Sequence, residues 1–168
     1  HEPVIYAKGG LLGGKLAEVI PHSRFPQEAI AHELKQFSER IKDVDQELSA
    51  SDFGKLVSDY DLVVIAVGAQ MPRKLPVEGK DKALTALEFL RQAKKDGIQP
   101  GQRVVIIGAG NVGCDVATEA HRLGASDITL LDVQTPASFG HEREAAEACG
   151  AKFRYPVFTA AITDEGVL

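Results

Sequence analysis

The chain has 168 residues, of which 44% are hydrophobic and 26% are charged, and its formal net charge is -5. This composition is typical of an ordinary globular protein, and the acidic balance argues against nucleic acid or an anionic membrane as the main partner. No apolar run reaches about 18 residues, so no membrane span is predicted. The two cysteines, Cys114 and Cys149, form no Cys-x-x-Cys pair. This favours a cytoplasmic location and excludes an iron–sulfur cluster held by this segment alone.

The first part of the chain predicts short strands and helices joined by glycine-rich loops. Glycine pairs after the first strand indicate a flexible loop, and apolar residues at spacings of four and three indicate a helix. In chain order, the predicted elements are a strand at 4–6, a helix opened by Pro26, a strand within 41–48 and a helix over 51–60 capped by Ser51 or Asp52.

The run LVVIAV at 62–67 is continuously apolar and mostly β-branched, with a glycine directly after it. Such a run predicts a strand that is buried on both faces of a parallel sheet. Two prolines follow within nine residues, and we therefore predict a domain boundary there, which divides the chain into 1–73 and 74–168.

The second part predicts a regular alternation of strands and helices. In chain order, the elements are a helix over 85–95 with a Thr85–Glu88 capping box, a strand over 103–107, a helix over 111–123, a strand over 128–131, a helix over 138–149 and a strand over 153–158. This alternation predicts an α/β fold, with a Rossmann-like three-layer arrangement around a mostly parallel sheet.

A glycine-rich turn joins the strand at 103–107 to the next helix. Gly108 allows a sharp turn, Gly110 allows the backbone to approach a pyrophosphate, and Gly113 allows close packing of helix on strand. The intervening residues Ala109, Asn111 and Val112 lie at the helix N-terminus, whose N–H groups attract phosphate. The alternative is a tight turn that binds no ligand.

Asp132 closes the next strand about twenty positions after the turn, where a carboxylate accepts hydrogen bonds from ribose hydroxyls. The same carboxylate repels the 2′-phosphate of NADP, and the adjacent Val133 and Gln134 offer no cation to hold that phosphate. The sequence therefore predicts an NAD site, with NADP the less favoured nucleotide.

The pattern indicates no catalytic residue and no metal site. The five histidines show no metal-ligand spacing, and neither a Gly-x-Ser-x-Gly motif nor a tyrosine followed four residues later by lysine is present. Without acid–base groups of its own, the site favours hydride transfer to a second cofactor.

Several motifs together resemble the glutamate synthase small-subunit group, flavoproteins related to the pyridine nucleotide–disulfide oxidoreductases. The residues that carry the resemblance are Gly13-Gly14, Ile20-Pro21, Arg24-Phe25-Pro26, the run from Tyr60 to Gln70, Pro72-Arg73, the run from Thr85 to Leu90 and Gly108-Ala109-Gly110-Asn111-Val112.

The resemblance implies an FAD-binding domain split by an inserted NAD(P)H-binding domain. Residues 1–73 correspond to an incomplete FAD domain and 74–168 to the NAD(P)H domain. In that family NAD(P)H passes a hydride to FAD, and electrons leave through an iron–sulfur centre or a partner subunit. By the resemblance, the residues facing the flavin or the domain junction are Gly14, Arg24, Gly68, Ala69 and Gln70.

Three departures from the family pattern bear on the cofactors. The family's FAD glycine loop is expected before residue 1, so the sequence is interpreted as a fragment that turns over poorly alone. The acid expected to bind the FAD ribose falls at Ala7, and the arginines of NADP-using members are replaced by Asp132-Val133-Gln134.

An exposed sheet edge in such a fragment also predicts self-association. The alternative function is an NAD(H)-sensing regulatory domain in which no hydride moves.

Overall fold

The computed structural model describes residues 3–8, 12–38, 41–69, 71–73 and 75–168. The chain divides into two compact units, His1–Gln70 and Met71–Leu168. This division lies three residues from the boundary that the prolines indicate.

Over its described residues, the first unit holds a small parallel sheet and three helices. Its described core includes Val19 and Ile30, both of which are buried. In the two-stranded sheet, Val4 pairs with Lys42 and Ala7 with Asp45. In chain order, the elements are β1 (Val4–Ala7), α1 (Gly14–Glu18), α2 (Gln27–Ser38), β2 (Lys42–Asp45) and α3 (Ala50–Asp59).

Two predictions for this unit are wrong. The run 62–67 forms no strand, and all of its side chains except the half-buried Val63 are exposed, with Leu62 at 79% and Val64 at 74%. A strand of this type requires sheet neighbours on both sides, and neither described sheet pairs with it. The cap of α3 is Ser49, whose N–H donates to Asp52 at 2.8 Å in a capping box. Asp52 is therefore the third helical residue rather than the cap.

The second unit is a parallel sheet with helices packed on it. In chain order, the elements are a 3₁₀ turn (Lys80–Lys82), α4 (Ala86–Ala93), β3 (Arg103–Ile107), α5 (Asn111–Arg122), β4 (Asp127–Leu131), α6 (Gly140–Ala148) and β5 (Lys152–Arg154). The strand order is β3-β4-β5, and every neighbouring pair is parallel. The α/β class with parallel sheets is confirmed.

Helix α4 begins where the sequence predicts it. The Thr85 N–H donates to Glu88 at 2.9 Å, and the Glu88 N–H donates to the Thr85 hydroxyl at 3.3 Å. This capping box satisfies two N–H groups that the helix would otherwise leave without a partner. The largest difference from the predicted boundaries is at β5, which ends at Arg154, just before Tyr155 and Pro156, rather than at 158. Helix α6 begins at Gly140, two residues later than predicted.

The core of the second unit lies between one face of the sheet and α5. Ile106 and Leu130 are opposite each other in the β3–β4 register, and both are buried. Small residues on α5, including Ala117 and Ala120, are fully buried and allow the helix to approach the strands. The opposite face is less covered, since Val105 is 47% exposed. This packing fixes the start of α5 beside the carboxyl ends of β3 and β4.

The chain after β5 returns to the segment before α4. Glu78 bridges Ala161 in parallel, and the Ile162 N–H donates to the Glu78 carbonyl at 2.9 Å. Gly79 lies against this crossing in a left-handed conformation, with φ of 73°. A Cβ at Gly79 would overlap the Ile162 carbonyl, far inside the 3.0 Å that real Cβ atoms respect. The crossing therefore requires glycine at this position.

Candidate dinucleotide-binding site

The glycine-rich turn lies at the carboxyl end of β3, where parallel α/β sheets bind ligands. Gly108 leaves the strand with φ of 108°, a conformation that side chains rarely adopt. Its N–H donates to the Leu131 carbonyl at 2.8 Å, so the turn begins attached to the end of β4. The turn is thus fixed at its first residue.

Gly110 and Gly113 have different structural reasons to be glycine. Gly110 has an ordinary φ of -79° and no heavy atom within 4 Å of an added Cβ. A Cβ at Gly113 would overlap the Gly108 carbonyl inside 3.0 Å and would contact the Leu130 side chain. The protein itself therefore requires glycine at 113. At 110 it leaves open space beside the N-terminus of α5, and helix N-termini favour anions.

Asp132 lies directly after β4 and contacts the turn. Its Oδ2 accepts a hydrogen bond from the Ala109 N–H at 2.9 Å, and its Oδ1 accepts one from the Gln134 N–H at 3.3 Å. Ala109 is fully buried, whereas Val133 is 52% exposed. A carboxylate offers about four lone-pair positions, so Asp132 retains acceptor capacity for ribose hydroxyls.

The turn is also connected to α6. The Phe139 N–H donates to the Asn111 Oδ1 at 3.0 Å, and the Phe139 side chain is 73% exposed. Val112, one residue into the same helix, is 53% exposed. No sequence pattern indicates Phe139, because this hydrogen bond uses its backbone N–H and spans 28 positions. The exposed rim of the site therefore includes Val112, Val133 and Phe139.

Cys114 lies in the first turn of α5, where a helix N-terminus can lower the pKa of a thiol. Instead, burial raises the pKa of the Cys114 thiol, and the residue is fully buried. Burial also raises the pKa of Cys149, which is only partly buried. Cys114 is therefore a packing residue, as its small size suggests.

Alkylation tests this assignment. With iodoacetamide at pH 7.5, we expect Cys149 to react at least about tenfold faster than Cys114, because access and thiolate content both limit the reaction. Peptide mass spectrometry of native and urea-unfolded chain measures both sites. Rapid labelling of native Cys114 that NADH suppresses would instead mark a reactive group inside the site.

The residues that the family resemblance assigns to the flavin lie in the first unit. Gly14 begins α1, and the next residue, Lys15, donates from Nζ to the Ala69 carbonyl. Gly68 adopts φ of 65°. These contacts bring the start of α1 beside Ala69. Arg24 is exposed, and its backbone N–H donates to the Pro21 carbonyl, three residues earlier. Gln70 lies outside the described residues.

Two further observations limit the chemistry. Within the described ranges, no group of three or more His, Cys, Asp or Glu side chains is arranged to hold a metal ion. No helix there is long and apolar enough to cross a membrane.

A glycine turn between a parallel strand and a helix, with an acid at the end of the neighbouring strand, defines a dinucleotide-binding α/β protein. The family model described as pyridine nucleotide-disulphide oxidoreductase matches residues 5–155. The chain belongs to this family. The resemblance predicted from the sequence is confirmed at this level, as is the oxidoreductase class.

Among curated proteins, the chain is 30% identical over 182 residues to the NADP(+)-dependent formate dehydrogenase subunit beta of Moorella thermoacetica, covering 98% of this chain and 25% of that protein. It is 32% identical over 155 residues to the glutamate synthase [NADPH] small chain of Mycobacterium tuberculosis, covering 79% of this chain and 31% of that protein. The chain thus spans between a quarter and a third of the length of these relatives.

The fold is similar to that of 2-naphthoyl-CoA reductase in its complex with 2-naphthoyl-CoA. The TM-score is 0.75 at 23% identity, with 99% of this chain and 26% of that chain covered. At this identity the similarity establishes the fold alone.

Proposed function

We propose that the unit Met71–Leu168 binds NAD(H) at the carboxyl edge of its sheet. In the whole protein, the bound NADH then passes a hydride to FAD, and electrons continue to an iron–sulfur or partner-subunit acceptor. The observations that carry the proposal are the open space at Gly110 and the hydrogen bond of the Asp132 carboxylate with the neighbouring residue of the turn, Ala109. NADH supplies the hydride, and the protein's part is to bind and orient the dinucleotide.

Each part of the turn has a proposed role. The N–H groups of Gly110, Asn111 and Val112 at the start of α5 bind the pyrophosphate, since they face outward at the positive end of the helix dipole. Asp132 accepts the adenosine ribose hydroxyls, with Val133 and Gln134 beside the adenosine. Gly108 and Gly113 allow the sharp bend of the turn and its close packing against α5.

Nucleotide choice is proposed to favour NAD. The names of the two curated relatives carry NADP(+) and NADPH. In this chain, however, Asp132 places a negative charge where the 2′-phosphate of NADP would lie. Its two neighbours, Val133 and Gln134, are uncharged.

The first unit is proposed to form part of an FAD domain, with residues 1–73 contributing to it and 74–168 forming the nicotinamide domain. The hydrogen bond from Lys15 to the Ala69 carbonyl supports this role, because it joins the residue after Gly14 to the residue after Gly68. Ala7, at the end of β1, cannot accept a ribose hydrogen bond through its side chain. A cytoplasmic location and self-association are part of the same proposal.

The alternative of an NAD(H)-sensing domain shares the turn and the acid. The family match favours the oxidoreductase, because it extends over residues 5–155 and so includes most of the first unit. A sensor domain does not require that unit.

Calorimetric titration of the chain with NADH and with NADPH tests the proposal. Wild type is expected to bind NADH more tightly. Replacing Asp132 with alanine should weaken NADH binding about tenfold or more, because a charged acceptor is lost. The same change should narrow or reverse the preference for NADH over NADPH, because the repulsion between the Asp132 carboxylate and the 2′-phosphate is removed.

Asp127→Ala is the matched control, because Asp127 begins the same strand β4 and carries the same charge at the opposite edge. Its carboxylate contacts Lys152 at 2.9 Å, outside the turn. The control should bind NADH like wild type. Equal loss in both variants, or no binding of either nucleotide to wild type, would contradict the proposed site.

A further inference from the structure

The Asp132 carboxylate accepts a hydrogen bond from the protein's own backbone. Its Oδ2 lies 2.9 Å from the backbone nitrogen of Ala109, the residue between the first two glycines of the turn. Hydrogen bonds from a backbone N–H to a carboxylate are stronger than those between neutral groups. The acid therefore acts on the protein's own backbone as well as on any ligand.

The hydrogen bond joins two separate elements. Ala109 belongs to the turn after β3, whereas Asp132 follows β4, 23 positions later. The neighbouring residue Gly108 is held to the same strand through its N–H and the Leu131 carbonyl, at 2.8 Å. Two consecutive N–H groups of the turn thus point back at the end of β4.

The N–H groups of Gly108 and Ala109 are both used within the protein. The next two along the chain belong to Gly110, the N-cap of α5, and to Asn111, its first residue. Asn111 is fixed from the other side, since its Oδ1 accepts from the Phe139 N–H at 3.0 Å. The turn is thus held on both sides by contacts within the protein.

We propose that Asp132 is a positioning residue for the pyrophosphate turn as well as the acceptor for the adenosine ribose. One oxygen holds Ala109 so that the turn is formed in advance, and lone pairs of the carboxylate not used in this way receive the ribose. The inference rests on the proposed NAD(H) function and deepens it. Formation of the turn in advance lowers the ordering cost that ligand binding would otherwise carry.

A dinucleotide without the adenosine hydroxyls separates the two roles. The probe is reduced nicotinamide–2′,3′-dideoxyadenosine dinucleotide, which retains the pyrophosphate but offers Asp132 no hydroxyl. If Asp132 serves the ribose alone, Asp132→Ala leaves the affinity for this probe unchanged. If it also positions the turn, the affinity should fall about fivefold or more, and the affinity for NADH should fall further.

A measurement without ligand supports the titration. Amide hydrogen exchange at Ala109, followed by NMR, should accelerate about tenfold or more in Asp132→Ala, because its acceptor is lost. Asp132→Asn retains an oxygen for the Ala109 N–H and should recover part of the protection and part of the probe affinity. Asp127→Ala should match wild type in both measurements.

The outcomes distinguish this inference from the proposed function. Wild type that binds NADH, together with unchanged probe affinity and unchanged Ala109 exchange in Asp132→Ala, would overturn the positioning role alone. Wild type that binds neither NADH nor the probe would overturn the proposed function, and the positioning role with it. Loss of probe affinity with faster exchange at Ala109, partly restored in Asp132→Asn, is the expected result.

Discussion

Gly110→Ala is expected to remove most NADH binding while the chain keeps its fold. Gly110 has φ of -79°, and an added methyl group meets no protein atom within 4 Å. The free energy of unfolding should therefore change by less than about 1 kcal/mol, a cost set mainly by the poorer N-cap. The methyl group occupies the approach to the backbone N–H groups, and we expect NADH affinity to fall at least about tenfold, on the scale of a lost charge-assisted hydrogen bond.

Gly113→Ala is the matched variant, and here the loss of stability is expected to be the main effect. Its methyl group would overlap the Gly108 carbonyl, which is backbone and cannot rotate away. Overpacking of this kind costs about 1–3 kcal/mol, which exceeds the gain of up to about 1 kcal/mol from better helix propensity. We expect a net loss of stability together with weaker binding, measured by urea unfolding and calorimetry.

The test compares NADH affinity and the free energy of unfolding in these two variants. If Gly110→Ala binds NADH like wild type, the open approach at Gly110 is not where the pyrophosphate lies. If Gly110→Ala unfolds as readily as Gly113→Ala, its loss of binding says nothing about the ligand. Because the chain contains no tryptophan, circular dichroism is the appropriate signal for unfolding.

Gly79→Ala is expected to destabilise the second unit by about 3 kcal/mol. Two costs add at this position: a left-handed conformation, at about 1–2 kcal/mol, and overlap with the backbone carbonyl of Ile162, at about 1–3 kcal/mol. The carbonyl cannot move freely, because the Ile162 N–H is bonded to Glu78 at 2.9 Å. The free energy of unfolding from urea denaturation measures the loss.

Gly101→Ala separates the two costs. Gly101 has nearly the same φ, 78°, but no heavy atom lies within 4 Å of an added Cβ. This variant should lose only the conformational part, about 1–2 kcal/mol. Equal destabilisation of the two variants would show that the crossing of Glu78 with Ala161 does not constrain Gly79.

The strand–turn–helix–strand unit of the site could be predicted from the sequence because its signals are local and agree with one another. The strand bounds Arg103–Ile107 and the helix start at Asn111 match the prediction. A β-branched run, a glycine turn and an amphipathic helix all indicate the same structure within thirty residues. The position of Asp132 follows from the same short segment.

The remaining features depend on contacts distant in sequence. The run 62–67 has the pattern of a central strand, but burial requires neighbours on both sides that a local pattern cannot supply. The bonds from Ala109 to Asp132 and from Phe139 to Asn111 span 23 and 28 positions. No periodicity encodes such bonds, and they decide how the turn is held.

The exposed run 62–67 has a consequence for handling the protein. Six consecutive apolar residues with high β-propensity, no proline and no charge match the composition of segments that stack into amyloid-like sheets. Asp59 and Asp61 lie just before the run, where charged residues oppose such stacking. Replacing these two carboxylates with asparagine would remove that opposition, so the double variant should aggregate from this segment more readily than wild type.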